Sequence, residues 1–296
     1  MSISSNLKRT VRPFLQTLLA NYIYETRFGS VRIKRKWGTG SWNRLMQRTT
    51  GEEVFLTSLD LKGKTVYDIG GFIGLLTVAF AKATGPTGQV IVFEPNEENY
   101  SQLLENLRLN RVDNVRSLKL GIASKKSQDQ VFLVRENLSA TGSLDQKIQS
   151  KIIDDGHFRE LHIEVDTLDN AMATHGLAKP DFIKIDIEGM EYPALLGMTE
   201  ILRKYSPQLH IEIHGADQSS KRENIGRVVE FLQSQGYSIW HVETQKDIDT
   251  HNFVIAQEGH IFCRRSEFRL AHSVTVGTVS GRKVSHADHE IASLQK

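Results

Sequence analysis

The chain has 296 residues, of which 39% are hydrophobic and 24% are charged, as in ordinary soluble globular proteins. Its single cysteine, Cys263, excludes an internal disulfide framework and a cysteine metal cluster, and no apolar run reaches the ~18 residues of a spanning helix. The length fits one large α/β domain with additions or two small domains, and the cysteine count fits a cytoplasmic protein.

The formal net charge of +2 hides an uneven distribution. Residues 1–50 carry one acid, Glu25, against ten bases, which are Lys8, Arg9, Arg12, Arg27, Arg32, Lys34, Arg35, Lys36, Arg44 and Arg48. The segment therefore has a charge of +9, and the rest of the chain has −7. Such a basic arm suggests contact with nucleic acid, a membrane surface or a phosphorylated substrate, although a solvated surface explains it equally well. We expect the arm to be helical, with an amphipathic helix from near Pro13 to Tyr24.

A glycine-rich turn follows the first predicted strand, Thr65–Ile69, and precedes a helix expected over about 73–83. The turn reads Asp-x-Gly-x-x-x-Gly, and counted from Gly70 it lacks the third and sixth glycines of a dinucleotide fingerprint, where Phe72 and Leu75 stand. It looks like the S-adenosylmethionine (SAM) loop of Rossmann-like methyltransferases. Its glycines let the backbone approach a ligand closely, and the helix start presents unpaired N–H groups to that ligand. A plain tight turn is the alternative. The residues predicted to bind SAM here are Asp68, Gly70, Gly71 and Gly74.

An acid at the tip of the next strand supports that interpretation. Gln89–Phe93 is a short apolar strand, and Glu94 follows it 24 positions after Gly70, which is the reach of one crossover helix. A carboxylate at this place can accept both ribose hydroxyl protons of a nucleoside. The alternative is a solvated acid in the first turn of a helix, which the macrodipole favours.

The third β-α unit supplies an apolar edge. Asn96 is expected to cap a helix, and Val115–Leu120 is expected to be the third strand. The strand ends in small and apolar residues that suit the flat face of an adenine, and we assign Ile122 and Ala123 to it. A simple turn explains them nearly as well.

Residues 124–165 break the alternation of strands and helices, and we predict an inserted hairpin or lid over the site. Alternation then resumes with a helix from Leu168 and strands at 182–187, 209–213 and 237–242. Segments 253–256 and 260–263 are expected to close the sheet as its antiparallel end. The domain therefore spans 51–265, and the polar residues 266–296 are expected to be a flexible tail. Such alternation implies a mostly parallel sheet with helices on both faces and a ligand at the carboxyl ends of its strands.

Two of the predicted central strands carry polar side chains on one face, where parallel strands are normally apolar. The first carries Lys184, Asp186 and Glu188, and the second carries His210, Glu212 and His214. His214 is the best candidate for a general base, because its ordinary pKa lies near neutrality, and Asp186 and Glu188 could orient a hydroxyl. A hydrogen-bonded structural network is the alternative. Mg²⁺ could also bind these oxygens, but the sequence does not support it, and we predict no metal site.

Five blocks occur in the order and spacing of one methyltransferase family: Val66–Gly74, Val92–Pro95, Val165–Asp169, Ile183–Gly189 and Glu212–His214. Over residues 52–257 the sequence resembles FkbM-type methyltransferases, and Lys-Ile-Asp-Ile-Glu-Gly is the most specific block. The resemblance implies a class I fold, a Rossmann-like, seven-stranded, mostly parallel sheet. It also implies SAM as cofactor, with Asp186, Glu188 and His214 facing the substrate. One departure is Gly71-Phe72-Ile73, where family members often carry Ala-Asn-Ile.

We therefore predict a SAM-dependent O-methyltransferase that acts on a hydroxyl of a sugar, glycolipid or related metabolite. A nucleic-acid methyltransferase is the second hypothesis, because of the basic arm. A SAM-binding scaffold without catalysis is the third, with Phe72 as its only support. We expect a cytoplasmic protein whose arm contacts an anionic surface such as a membrane.

Overall fold

The computed structural model describes residues 23–25, 31–34, 50–135 and 138–265. The described chain begins with an antiparallel hairpin of β1 (Ile23–Glu25) and β2 (Arg32–Lys34), whose second strand contacts the end of a later helix through the Arg32 guanidinium and the Leu109 carbonyl. The expected helix from near Pro13 to Tyr24 is thus wrong at Tyr24, which lies in a strand. The rest of that helix, most of the basic arm and the tail lie outside the described residues.

Eight strands form the main sheet, one more than the resemblance implied. In chain order they are β3 (Thr65–Ile69), β4 (Gln89–Phe93), β5 (Val115–Leu118), β10 (Phe182–Ile185), β11 (Gln208–Glu212), β12 (Tyr237–His241), β13 (Lys246–Ile248) and β14 (His260–Arg265). Their order in space is β13-β12-β14-β11-β10-β3-β4-β5. Pairing is parallel from β11 to β5 and antiparallel around β14, so the sheet is mostly parallel with the antiparallel end that we expected.

The strand β13 was not predicted from the sequence, which placed a strand at residues 253–256 instead. Residues 253–256 are not a strand, because Phe253–Gln257 is a 3₁₀ helix whose Phe253 ring packs near Gly226 of a long helix. The sheet edge beside β12 is taken by β13 instead. An apolar run as short as this one fits a strand or a helical turn equally well.

Helices cover both faces of the main sheet, and one further helix, Gln146–Asp154, packs on the inserted segment. They are α1 (Gly51–Ser58), α2 (Leu75–Thr84), α3 (Glu97–Asn110), α4 (Gln146–Asp154), α5 (Leu168–His175), α6 (Glu191–Leu196), α7 (Thr199–Tyr205) and α8 (Gln218–Ser234). Asn96 caps α3, as predicted, by accepting hydrogen bonds from the N–H groups of Glu98 and Asn99. Within the described residues, none of these helices has the length and hydropathy needed to cross a membrane.

The two faces of the sheet differ in chemistry. One face is apolar and packs on α5 to α8 through residues such as Tyr67, Ile183 and Ile211. The other packs on α1, α2 and α3 but also carries Asp68 and Lys184, both almost fully buried. Burying charge is costly unless it is paired, so these polar residues point to a paired network or a site.

The inserted segment forms a second, smaller sheet. Its strands are β6 (Gly121–Ile122), β7 (Ser127–Arg135), β8 (Leu138–Ser143) and β9 (Phe158–Asp166), in the order β6-β9-β7-β8. Helix α4 connects β8 to β9. The segment is therefore more than the hairpin that the sequence suggested, and it borders the cavity described next.

Candidate functional site

A cavity lies at the carboxyl ends of β3, β4, β10 and β11, beneath residues of the small sheet. Its lining consists of Ile69, Gly70, Phe72, Phe93, Glu94, Pro95, Asn99, Leu120, Gly121, Ile122, Phe132, Gly142, Leu144, Asp186, Ile187, Glu188, Met190, Glu212 and His214. One part of the wall is mainly apolar, with Glu94 beside it, and another is strongly acidic. The topology places ligands at this edge in doubly wound α/β folds.

Gly70 brings the glycine turn against the end of β10. Its φ is +86°, and a Cβ built on it would lie 1.9 Å from the backbone oxygen of Asp186. Only glycine satisfies both constraints. Of the other two glycines, Gly71 faces the core near Val92 and Gly74 caps α2 with a φ of +88°. Gly70 therefore lines the cavity, whereas Gly71 and Gly74 shape the turn from behind.

Glu94 lines the cavity and is held in place by the turn. Its Oε2 accepts a 2.9 Å hydrogen bond from the Phe72 N–H, and its Oε1 accepts one of 2.9 Å from the Asn96 N–H. Burial raises the pKa of the Glu94 carboxyl to about 7, against the lowering effect of these hydrogen bonds. Oε1 also accepts a 3.4 Å hydrogen bond from Asn99 Nδ2, so the carboxylate is fixed in orientation and Oε2 retains a lone pair for a ligand.

Asp68 lies behind the glycine turn and not in the cavity. It is 1% exposed, and its Oδ2 accepts a 2.6 Å hydrogen bond from the Thr77 hydroxyl. Its Oδ1 lies 3.8 Å from Lys184 Nζ, which also donates to the Gly70 carbonyl and, at 3.0 Å, to Asp186 Oδ2. Burial lowers the pKa of Lys184, but the carboxylates of Asp186 and Asp68 raise it by more than burial lowers it. The net pKa lies above the ordinary value, so the lysine stays charged. Asp68, predicted to bind SAM, thus does not line the cavity, and it contacts Lys184, which bonds to the turn at Gly70.

The apolar wall agrees in part with the predicted adenine edge. Ile122 lines the cavity with Leu120 and Phe132. Ala123 does not, because its N–H is bonded to the Asp166 carbonyl and its own carbonyl lies against Gly197. The sequence analysis missed Phe132, which comes from the inserted segment, where long-range strand pairing decides which residues reach the cavity.

The acidic wall brings together the residues that the sequence placed on two strand tips. His214 Nδ1 lies 3.0 Å from Glu191 Oε1, and Nε2 lies 3.5 Å from Glu212 Oε1 and 3.9 Å from Asp186 Oδ1. Although burial lowers the pKa of His214, its carboxylate neighbours Glu191, Glu212 and Glu188 raise it well above the usual value. An imidazole that already holds a proton cannot accept another, so this arrangement argues against His214 as the general base.

Glu188 lies beside it with an unusual backbone. Its φ is +51°, a left-handed conformation that is uncommon for a residue other than glycine and is concentrated at functional sites. The Ser143 hydroxyl of the small sheet donates a hydrogen bond to its carbonyl, which holds this conformation. Burial, the largest influence, raises the pKa of the Glu188 carboxyl to about 7.

Glu191 is a buried acid that the sequence analysis did not single out. It is 0% exposed and accepts hydrogen bonds from the Gly189 N–H at 3.0 Å and from Asn224 Nδ2 at 2.8 Å. Its place in the first turn of α6, just after Gly189, was the only signal in the sequence. Its carboxylate fixes the orientation of the His214 ring.

Comparison with known proteins identifies the family. The sequence model described as "Methyltransferase FkbM domain" matches residues 68–239, which is 172 of the 296 residues. No curated protein sequence matches the chain.

Several solved structures resemble the chain at low identity. The methyltransferase FkbM from Methylobacillus flagellatus KT is 17% identical with a TM-score of 0.45, and the match covers 88% of this chain and 60% of that one. The O-methyltransferase TomG from Streptomyces achromogenes is 11% identical with a TM-score of 0.45, covering 89% and 99%. A SAM-dependent methyltransferase from Aquifex aeolicus is 16% identical with a TM-score of 0.38, covering 72% and 88%. The family assignment rests on the sequence-model match alone.

Proposed function

Because the chain belongs to the FkbM methyltransferase family, we propose that it transfers a methyl group from SAM to a hydroxyl group of a sugar, glycolipid or related metabolite. One observation carries the proposal. A fixed carboxylate beside an apolar wall, Glu94 with Ile122, shares one cavity with the acidic wall of Asp186, Glu188 and His214. The first part suits a nucleoside and the second suits a hydroxyl acceptor.

The nucleoside half of the cavity offers SAM a carboxylate acceptor and apolar contacts. Glu94 accepts a hydrogen bond from the ribose hydroxyls, because its carboxylate lines the cavity and, among the described residues, Oε2 accepts only the Phe72 N–H. Ile122 and Phe132 contact the adenine faces. Gly70 lets the backbone approach the methionine part of the ligand, with Asp68 supporting the turn through Lys184. When bound, SAM supplies the electrophilic methyl group and its own leaving group.

The acidic half positions the acceptor and removes its proton. As the acceptor oxygen forms the new C–O bond, the carboxylate of Glu188 takes up the hydroxyl proton. Glu188 fits this role better than His214, whose ring nitrogens both face carboxylates. Asp186 and His214 orient the hydroxyl in line with the methyl group.

The acceptor class follows from the polarity of the wall. Asp186, Glu188 and Glu212 present carboxylate oxygens side by side, and these accept hydrogen bonds from neighbouring hydroxyls. A sugar ring offers such hydroxyls, and Leu144 and Met190 give its carbon skeleton an apolar contact. The hypothesis of nucleic-acid methylation rested on the basic arm, most of which lies outside the described residues.

The test is calorimetry of the purified chain with SAM and S-adenosylhomocysteine, followed by a methyl-transfer assay. The acceptor panel contains monosaccharides, glycolipids, polyketide alcohols and RNA. We expect binding of both nucleosides and turnover on a hydroxylated small molecule. Transfer to RNA alone would favour the nucleic-acid hypothesis, and SAM binding without turnover on any acceptor would favour the scaffold. Binding of NAD in place of SAM would overturn the proposal.

A further inference from the structure

We propose that Asp186, Glu212 and His214 form a binding site for one divalent first-row metal ion, which holds the acceptor oxygen in the cavity. The inference deepens the proposed function, on which its catalytic part rests, and it departs from the sequence analysis, which predicted no metal site. It begins with three side-chain atoms. A ligand atom of each residue lies within 4.8 Å of the other two, and all three residues line the cavity.

Asp186 and His214 are each held by a hydrogen-bond contact through the other polar atom, and Glu212 by a longer contact with a histidine. Asp186 Oδ2 accepts a hydrogen bond from Lys184 Nζ at 3.0 Å. Glu212 Oε2 lies 3.5 Å from His260 Nε2. His214 Nδ1 lies 3.0 Å from Glu191 Oε1. This leaves one oxygen of each carboxylate and Nε2 of the histidine, and a ligand atom of each residue lies within 4.8 Å of the other two.

The converging atoms are too far apart for ordinary hydrogen bonds and somewhat farther apart than the ligands of one ion. His214 Nε2 is 3.5 Å from Glu212 Oε1 and 3.9 Å from Asp186 Oδ1, which exceeds the usual range of about 2.7–3.2 Å for hydrogen bonds. Ligands at metal distances of about 2.1 Å and cis or tetrahedral angles are separated by roughly 3.0–3.4 Å. Small rotations of the side chains therefore bring all three onto one ion.

The histidine has the support that metal ligands usually have. A ligating imidazole almost always donates its other ring N–H to a carboxylate or carbonyl, which fixes the tautomer. Glu191 supplies that carboxylate, is 0% exposed, and is itself held by Gly189 and Asn224. With a hydrogen on Nδ1, a metal ion that displaces the second ring proton binds the Nε2 lone pair, which faces Asp186 and Glu212.

The donor set narrows the choice of ion. One imidazole and two carboxylates suit Mn²⁺, Fe²⁺, Co²⁺ or Zn²⁺ better than Ca²⁺, which prefers six to eight oxygens. Three protein ligands leave coordination positions open. An acceptor hydroxyl bound there loses its proton more easily, and Glu188, two residues from Asp186, can receive it.

The chain offers a matched control on its surface. His162 also lies between two carboxylates, because its Nδ1 contacts Asp129 and its Nε2 is 3.3 Å from Glu160. These groups are 52% to 72% exposed and lie outside the cavity, on β7 and β9. If acidic neighbours alone were enough for a histidine to bind metal, His162 would bind it as well as His214.

The experiment titrates Mn²⁺ alone into the full chain, followed by calorimetry and by electron paramagnetic resonance. We expect one Mn²⁺ per chain, with nitrogen coupling from an imidazole. Asp186→Asn and His214→Gln should each weaken binding at least tenfold, and His162→Gln should leave it unchanged. Circular dichroism checks that each variant folds, and the nitrogen coupling in the unmodified chain needs no variant.

Absence of stoichiometric Mn²⁺ binding, or its loss in His162→Gln alone, would overturn the site. Full SAM-dependent turnover in EDTA would overturn its catalytic part while leaving the proposed function intact. Failure of the proposed function is detected separately, because calorimetry with SAM in EDTA measures binding of the cofactor without metal. Mn²⁺ binding in a chain that binds no SAM would sustain the metal site and overturn the proposed function.

Discussion

The Phe72 N–H donates a 2.9 Å hydrogen bond to Oε2 of Glu94, so the glycine turn after β3 fixes the carboxylate at the tip of β4. Phe72 achieves this with a φ of +47°, a left-handed conformation. The residue that departs from the family pattern therefore acts here through its backbone. This weakens the only support for a scaffold without catalysis, because the carboxylate proposed for the ribose is held in position.

Replacing Glu94 tests the ribose contact. Glu94→Ala should weaken SAM binding by about 1–3 kcal/mol, the usual effect of losing hydrogen bonds to a charged group. Isothermal calorimetry measures the change, and Glu97→Ala is the control, because Glu97 is an exposed acid in the first turn of α3. Equal SAM affinity in Glu94→Ala and the unmodified chain would exclude the assignment.

The pH dependence of SAM binding tests the same carboxyl by another route. Burial raises the pKa of Glu94 to about 7 in the free protein. Ribose hydroxyls donate to the ionised form, so the pKa falls in the complex and, below about pH 7, binding releases the carboxyl proton. The association constant should therefore drop as pH falls below about 7, by at most tenfold per unit, and level off above about 8.

Calorimetry across about pH 5.5 to 8.5 measures this profile, with Glu94→Gln as control, because its amide does not titrate in that range. The glutamine variant should lose the acid limb that the unmodified chain shows. Identical profiles in the two proteins would mean that another group governs the effect.

The spacing of apolar, glycine and acidic residues in the sequence predicted the first two strands of the main sheet and the residues at their ends. The bounds of β3 and β4 and the cap at Asn96 follow from local patterns that the structure confirms. Gly70 and Glu94 line the cavity, and their binding of SAM stays a prediction. In a parallel sheet the carboxyl ends lie at one edge, so residues at strand tips can be placed without coordinates. The same reasoning predicted that residues 186–188 and 212–214 lie close together at the ends of two neighbouring strands.

Other features depend on contacts that spacing does not encode. The side of the turn on which Asp68 lies depends on Lys184, 116 residues later, and the place of Ala123 depends on Gly197. The inward position of Phe132 depends on pairing of β7 with β9. The protonation of His214 depends on Glu191, whose burial a local pattern does not show.

Gly70→Ala tests how closely β3 and β10 approach. The added methyl group would lie 1.9 Å from the Asp186 carbonyl oxygen, at a φ of +86°. We expect a loss of more than about 3 kcal/mol in the free energy of unfolding, from backbone strain and overpacking together. Gly156→Ala is the control, because Gly156 has a φ of +79° but no atom within 4 Å of the added carbon.

Urea unfolding measures both variants. The control should lose only the conformational part, about 1 kcal/mol. Equal losses in the two alanine variants would contradict the close approach between Gly70 and Asp186.

Glu188→Gln tests the proton acceptor. The amide keeps the size of the side chain but cannot take up a hydroxyl proton, so turnover should fall about a hundredfold or more while SAM affinity stays unchanged. The measurements are steady-state kinetics and calorimetry on the same preparation. Glu200→Gln, an exposed acid on α7, should change neither quantity. Turnover near that of the unmodified chain would assign the proton to another group.

Lys184→Met tests the charged network behind the turn. Lys184 is 3% exposed and lies near two carboxylates, Asp68 at 3.8 Å and Asp186 at 3.0 Å. Removing one partner of a buried ion pair leaves uncompensated charge, so we expect a loss of about 3–5 kcal/mol in the free energy of unfolding. Adding Asp68→Asn should restore part of this loss, because it removes one of the unpaired charges.

The control for Lys184→Met is Lys119→Met, which breaks an exposed pair with Glu97 and should change stability by less than about 1 kcal/mol. Urea unfolding of five proteins completes the comparison: the unmodified chain, Lys184→Met, Asp68→Asn, the double variant and Lys119→Met. If Asp68→Asn adds its own loss to that of Lys184→Met, the two side chains are not coupled. The lysine would then hold the turn through the Gly70 carbonyl alone, and Asp68 would depend on Thr77.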